Sequence, residues 1–243
     1  MLSLAYTARH MPITSDISPT STLIIQISAV AIWLGMVFFA SQVLHRFKQD
    51  PELVRKVVHI GTGHVLLIAW WLHIPLWLCL TAGILFSAIA LFSHYTSILP
   101  MLNNVGRKTY GIFYYALSIT ILVAFLWDSH PQYAVIGVMV MSWGDGMAAL
   151  IGKRFGKHTF IYMGNQRSLE GSFAMFATSL LVMLCIFGFT HGICLNDLLN
   201  DLKVTIPVAA IAAMLEAFSP GGTDNLSVPL SSAFLSYALQ STL

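Results

Sequence analysis

The chain has 243 residues, 57% of them hydrophobic and only 9% charged, whereas an ordinary soluble domain carries about 25% charge; a bilayer is its natural solvent. A formal net charge of +2 is too small for a nucleic-acid partner, and the Lys and Arg lie between apolar runs, not in one solvated patch. Three cysteines, Cys79, Cys185 and Cys194, form no CxxC pair and imply neither a disulfide framework nor a zinc site.

Residues 1–21 read as a polar N-terminal segment and residues 22–243 as a single membrane domain without repeats or low-complexity stretches. A spanning helix needs about 20 mostly apolar residues. Runs near that length occur at 22–44, 57–73, 75–94, 112–128, 131–152, 171–193, 203–219 and 227–242. The expected fold is all-α, a polytopic transmembrane helical bundle of about seven to eight spans, with the second and last runs short enough to be re-entrant. The first run follows only Arg9 as a fixed positive charge and has no small-residue cleavage pattern, so it is expected to stay as a span.

Basic residues orient the bundle, because Lys and Arg are retained on the cytoplasmic side. Arg46, Lys48, Arg55 and Lys56 follow the first run, Arg107 and Lys108 the third, and Lys153, Arg154, Lys157 and Arg167 the fifth, which places ten of the 12 basic residues on alternate connections. The intervening connections contribute only Lys203. Eight spans with the N-terminus outside put every basic loop, and the turn at 219–225, in the cytoplasm; this is an integral, multi-pass protein whose chemistry is expected at the cytoplasmic face, on a lipid.

Three clusters carry the chemistry. The densest is Gly144-Asp145-Gly146, followed by Gly152-Lys153-Arg154-Phe155-Gly156-Lys157 and by Arg167-Ser168-Leu169-Glu170-Gly171. An ionised Asp145 inside an apolar span costs about 2.5–3.5 kcal/mol on the lenient insertion scale, so a divalent cation or a basic partner must offset it. Carboxylates that hold a metal, cations that neutralise phosphate oxygens and glycines that permit close approach are what a nucleoside triphosphate with Mg²⁺ requires. The stretch Gly146 to Lys153 is a near miss to the phosphate loop: five residues separate its glycines instead of four, and Arg154 stands where Ser or Thr would hold the metal.

The second cluster is Arg55-Lys56-Val57-Val58-His59, in which His59 lies one turn beyond Arg55 and shares its face. The third is Glu216 with Ser219-Pro220-Gly221-Gly222-Thr223-Asp224-Asn225, where Pro-Gly-Gly breaks a helix and Asp224 returns a carboxylate to the face of Asp145. Each also has a structural reading: an interhelical ion pair for Asp145, topology signals for the cations, an interhelical hydrogen bond for His59 and a capped turn around Asp224. Arg107-Lys108-Thr109-Tyr110-Gly111 suits anchoring as well as substrate contact.

At these residues the chain resembles the polyprenol kinase family, the phytol, farnesol and dolichol kinases, which is related to the CTP-dependent phosphatidate cytidylyltransferases. The matching elements are Arg55–Ile60, Arg107–Gly111, Gly144-Asp145-Gly146 with Gly152–Gly156, Arg167–Ser172, and Asp224-Asn225-Leu226 before Pro229-Leu230. The resemblance implies CTP-dependent phosphorylation of an isoprenoid alcohol, phytol or a similar prenol, as in phytol salvage for tocopherol-type prenyl lipids. The cytidylyltransferase element Ser-Pro-Lys-Lys-Thr-x-Glu-Gly is reduced here to Arg167–Gly171, which favours phosphoryl over nucleotidyl transfer.

The expected site follows. Asp145 and Asp224 hold Mg²⁺ on the CTP phosphates; Lys153, Arg154, Lys157 and Arg167, with Gly144, Gly146 and Asn225, bind the nucleotide. Arg55, Lys56, Arg107 and Lys108 contact the substrate. Glu170 or His59 takes the prenol proton; Phe113, Tyr114, Tyr115 and Phe176 either line the tail or, the reading favoured by their type, make ordinary packing and lipid contacts. The partners are thus a prenyl alcohol, a nucleoside triphosphate and the bilayer, with no nucleic acid. A lipid cytidylyltransferase and a transporter with Asp145, Glu216 and Asp224 along its path are the alternatives.

Overall fold

The computed structural model describes residues 18–96, 110–192 and 194–242. Among these residues eight helices and one short hairpin follow in order: α1 (Pro19–Arg46), α2 (Pro51–Trp71), α3 (Leu76–Thr96), α4 (Gly111–Leu126), α5 (Pro131–Phe155), β1 (Thr159–Tyr162), β2 (Asn165–Ser168), α6 (Leu169–His191), α7 (Leu195–Ala217) and α8 (Asp224–Gln240). The protein is an all-α polytopic bundle. Six helices (α1, α2, α3, α5, α6 and α7) are long and apolar enough to cross a membrane, while α4 has 16 residues and α8 has 17.

Several helices begin before the apolar runs do. The second starts at Pro51, not near residue 57, because Asp50 caps it: its carboxylate accepts from the Glu52 N–H at 2.9 Å and Pro51 supplies the first-turn φ. Ser18 and Pro19 start α1 in the same way, Ser18 Oγ accepting from the Ser21 N–H. The seventh starts at Leu195, with Asp197 in its first turn. Polar first turns are helical although hydropathy alone trims them away.

The centre of the bundle is α5. Its residues Ala134, Val135, Ile136, Val138, Val140 and Met141 are fully buried, and 72% of its apolar stretch is inside the protein, against 11% for α1. A helix apolar on every side belongs in the core, and α5 packs on α6, α8 and α2. Small residues let those neighbours approach: a Cβ on Gly137 would meet the Pro229 carbonyl of α8 at 2.4 Å, and one on Gly63 of α2 would meet Ser142 Oγ at 2.0 Å. By contrast α1 turns Ile24, Ile25, Phe38 and Phe39 outward, as a lipid-facing helix does.

Between α5 and α6, where the sequence predicts only a basic loop, the chain forms an antiparallel hairpin with Thr159 opposite Ser168 and Tyr162 opposite Asn165. Met163 and Gly164 make the two-residue turn, at φ 44° and 80°, the two positive values of a type I′ turn. Lys153 and Arg154 lie before it, in the last turn of α5.

Candidate active site

The site gathers where the start of α2, the end of α5, the hairpin, the end of α7 and the start of α8 meet. Gly221 and Gly222, at φ 61° and 87°, turn the chain sharply after α7, so that Asp224 in the first turn of α8 comes back beside Glu216. Asp145 of α5 completes the group: each of the three carboxylates offers an oxygen, and those oxygens all lie within 4.8 Å of one another. All three residues are buried.

Two cations enter the cluster from different elements. Lys56 of α2, itself buried, places Nζ 2.5 Å from Asp145 Oδ2, and His59 Nε2 stands 3.6 Å from the same oxygen. From the hairpin, Arg167 donates one guanidinium nitrogen towards Glu216 Oε1 at 2.9 Å and another towards Asp224 Oδ2 at 3.3 Å. Buried carboxylates without such partners would be strongly destabilising. Lys56 and Arg167 set against Asp145, Glu216 and Asp224 leave two formal positive charges against three negative ones.

That donor set fits a hard divalent cation. Mg²⁺ and Ca²⁺ take oxygen ligands at about 2.0–2.6 Å, so oxygens within 4.8 Å of each other are close enough to share one ion, and the uncompensated negative charge favours it.

Glycines bring the helices together here. A Cβ on Gly144 would stand 2.4 Å from Met175 Sδ, and one on Gly146 would stand 2.6 Å from Ile60 Cδ1. They let α6 and α2 close on α5. Behind His59 the Tyr115 ring lies 4.4 Å away, and Tyr115 OH shares a 2.7 Å hydrogen bond with Ser142 Oγ. Tyr115 is therefore a buried packing residue behind the site, as the packing alternative expects.

Most other predicted residues stand apart from the cluster. Arg55 turns outward and pairs with Glu52 at 2.5 Å; the residue that shares the polar cavity with His59 is Lys56, three positions before it, and not Arg55. Lys153 is exposed and pairs with Asp50, Arg154 lies over the Phe155 ring at 5.4 Å, and Lys157 is exposed. Glu170 accepts from the His158 N–H at 3.2 Å and contacts His158 Nδ1 at 2.8 Å. This pair borders an apolar groove of about 590 Å³ between α5 and α6 that Ile151, Phe155, Phe173 and Ala177 line. Asn225 donates its backbone N–H to Asp224 Oδ1 at 3.0 Å, and its own Oδ1 is buried without a hydrogen-bond partner. Arg107 and Lys108 lie outside the described residues.

Glu216 belongs to the cluster and stands outside the predicted metal pair. Its signal was the same as that of Asp145: an acid inside an otherwise apolar span.

The chain is 44% identical over 216 residues to the phytol kinase of Synechocystis sp. (strain ATCC 27184 / PCC 6803 / Kazusa), covering 88% of this chain and 91% of that protein. It is 28% identical over 209 residues to the chloroplastic farnesol kinase of Arabidopsis thaliana, covering 78% of this chain and 66% of the relative. A probable chloroplastic phytol kinase of Triticum aestivum is also 28% identical, over 221 residues, 78% of this chain and 68% of that one. No family model and no solved structure matches.

Proposed function

The chain belongs to the polyprenol kinase family, and on that premise we propose that it transfers the γ-phosphoryl group of CTP to the hydroxyl of an isoprenoid alcohol, phytol or a similar prenol, at the cytoplasmic membrane face. The observation that carries the proposal is the buried meeting of Asp145, Glu216 and Asp224 with Lys56 and Arg167. Phosphoryl transfer asks a protein mainly for positioning and for charge opposite the phosphate oxygens, and this cluster supplies both at one end of a membrane bundle.

Asp145 and Asp224, with Glu216 beside them, would hold Mg²⁺, which supplies neutralisation of phosphate charge when bound. Arg167, whose side chain is 23% exposed, reaches from the hairpin into the buried acids, which supports its role as the group that meets a phosphate from the aqueous side. Lys153, Arg154 and Lys157, exposed at the end of α5 and just beyond it, would raise the local concentration of a polyanion. The prenol oxygen attacks the γ-phosphorus, the bond from that phosphorus to the β,γ-bridging oxygen breaks, and CDP leaves. His59 is assigned the hydroxyl proton, because it stands beside Asp145 while Glu170 is engaged by His158. A lipid alcohol keeps its tail in the bilayer and offers its hydroxyl at this depth, where a soluble nucleotide also reaches.

The test uses membranes carrying the full chain, supplied with Mg²⁺, with phytol, geranylgeraniol or farnesol, and with CTP labelled at either the α- or the γ-phosphate. Label from the γ position on the prenol is the expected result. Label from the α position alone, on lipid, would instead make the chain a cytidylyltransferase.

A further inference from the structure

The hairpin that delivers Arg167 is held by more than its ionic contacts. Side chains of a strand alternate between faces and pair across to the partner strand. Phe160 lies directly opposite Arg167, and Tyr162 follows two positions on. Both rings meet Phe218, the residue that ends α7: the Phe160 centroid is 6.2 Å away, and the Tyr162 ring stands edge-on at 5.2 Å and 84°. Phe218 is two residues beyond Glu216, the acid that Arg167 contacts at 2.9 Å. The end of α7 therefore grips the hairpin twice, through Glu216 on Arg167 and through Phe218 on the residues facing and flanking it.

Core packing does not account for this second grip. Phe218 is 51% exposed, and on the other side of the hairpin Ile161 and Met163 are 77% and 69% exposed, so truncating Phe218 opens no cavity in the bundle. Edge-on aromatic contacts favour one mutual orientation of their rings. That orientation is also the one in which the Arg167 guanidinium spans Glu216 and Asp224.

We infer that Phe218, acting through Phe160 and Tyr162, is a positioning residue for phosphoryl transfer: it fixes the hairpin so that Arg167 stays seated in the acidic cluster. The inference rests on the phosphotransferase reading above and adds to it a determinant of turnover outside the charged cluster. A displaced catalytic group of about 1 Å costs on the order of 10²-fold, so partial loosening of the hairpin should lower kcat by about tenfold.

The experiment has two arms on the full chain in lipid nanodiscs. In the first, backbone hydrogen exchange is followed without nucleotide: Phe218→Ala should speed exchange across residues 159–168 and leave α5 unchanged, while Phe218→Tyr should restore protection. In the second, γ-phosphoryl transfer to phytol is measured for Phe218→Ala, Arg167→Ala and the double variant. The expected result is a kcat about tenfold lower with Phe218→Ala, rescue by Phe218→Tyr, and no further loss when Phe218→Ala is added to Arg167→Ala. An unchanged hairpin, unchanged turnover in a loosened one, or additive losses in the double variant would each overturn the inference. Absence of γ-transfer by the wild-type chain would instead remove the kinase reading, and hydrogen exchange would still decide whether Phe218 holds the hairpin.

Discussion

Two sets of charges share one end of this bundle and differ in almost everything else. The inner set, Lys56, Asp145, Arg167, Glu216 and Asp224, is drawn from four helices and a strand and is buried or nearly so. The outer set, the Asp50–Lys153 pair, Arg154, Lys157 and the His158–Glu170 pair, lies in or near the open, with Lys153 58% and His158 74% exposed. Solvated ions tolerate the loss of a partner because water replaces it, whereas buried ones do not. Inner residues should therefore control turnover and folding together. Outer residues should act mainly on how readily an anion arrives, with small effects on folding.

The harshest test of that division removes one inner charge. Asp145→Asn leaves the buried Lys56 ammonium without its carboxylate, and breaking such a pair costs about 3–5 kcal/mol of stability; kcat for γ-transfer should fall by about 10²–10³-fold or more. Replacing the pair as a whole, by Asp145→Leu with Lys56→Met, separates the two effects, because an apolar replacement of a whole buried pair is close to neutral for folding. The double variant should recover its thermal unfolding midpoint in detergent and recover no turnover. If Asp145→Asn keeps wild-type kcat, the cluster is not the centre of the reaction.

How far the inner set was legible follows the same physics. Asp145 stands out in the sequence because a charge in an apolar run needs a partner, and Asp224 because Pro220-Gly221-Gly222 must end a helix just before it. The identity of the partner on α2 was not legible. Arg55 and Lys56 lie four and three residues before His59, spacings that both fit one helical face, and only the packing of Gly63 and Ile60 against α5 selects Lys56. The hairpin was hidden by its polarity and shortness. Its available signal was the alternation of Phe160 and Tyr162 ahead of Met163-Gly164, a two-residue turn ending in glycine. The helical bundle itself was plain from the apolar runs, while the starts of α2 and α7 were displaced because a polar first turn has no hydropathy signature, whether a side chain caps it, as Asp50 caps α2, or not, as in α7.

The outer set gives a milder prediction. Lys153→Ala combined with Arg154→Ala should raise the KM for CTP by about three- to tenfold and leave kcat within about twofold, since exposed cations act mainly on encounter. The penalty should shrink as ionic strength rises and the Debye length falls from about 10 Å at 0.1 M to about 3 Å at 1 M. Kinetics at two salt concentrations measure this directly. A fall in kcat that salt does not alter would move these residues into the inner set and erase the distinction.

The smallest effect belongs to Asp50, which both caps α2 and pairs with Lys153. The Lys153 ammonium first, and the Glu52 N–H second, hold its carboxyl below the usual aspartate value. A carboxyl whose folded value lies below its unfolded one, about 3.9, stabilises the fold at every pH above that unfolded value and loses the contribution as pH falls through the folded one. The melting difference between the wild-type chain and Asp50→Ala should therefore be flat from pH 8 to about 5 and narrow in stronger acid. Asp50→Asn keeps an oxygen for the Glu52 N–H and should melt close to wild type. A melting difference that grew on acidification would contradict the sign of the Lys153 interaction; a large loss with Asp50→Asn would show that even an exposed ion at this end of the bundle is structural, and the contrast between the two sets would then rest on turnover alone.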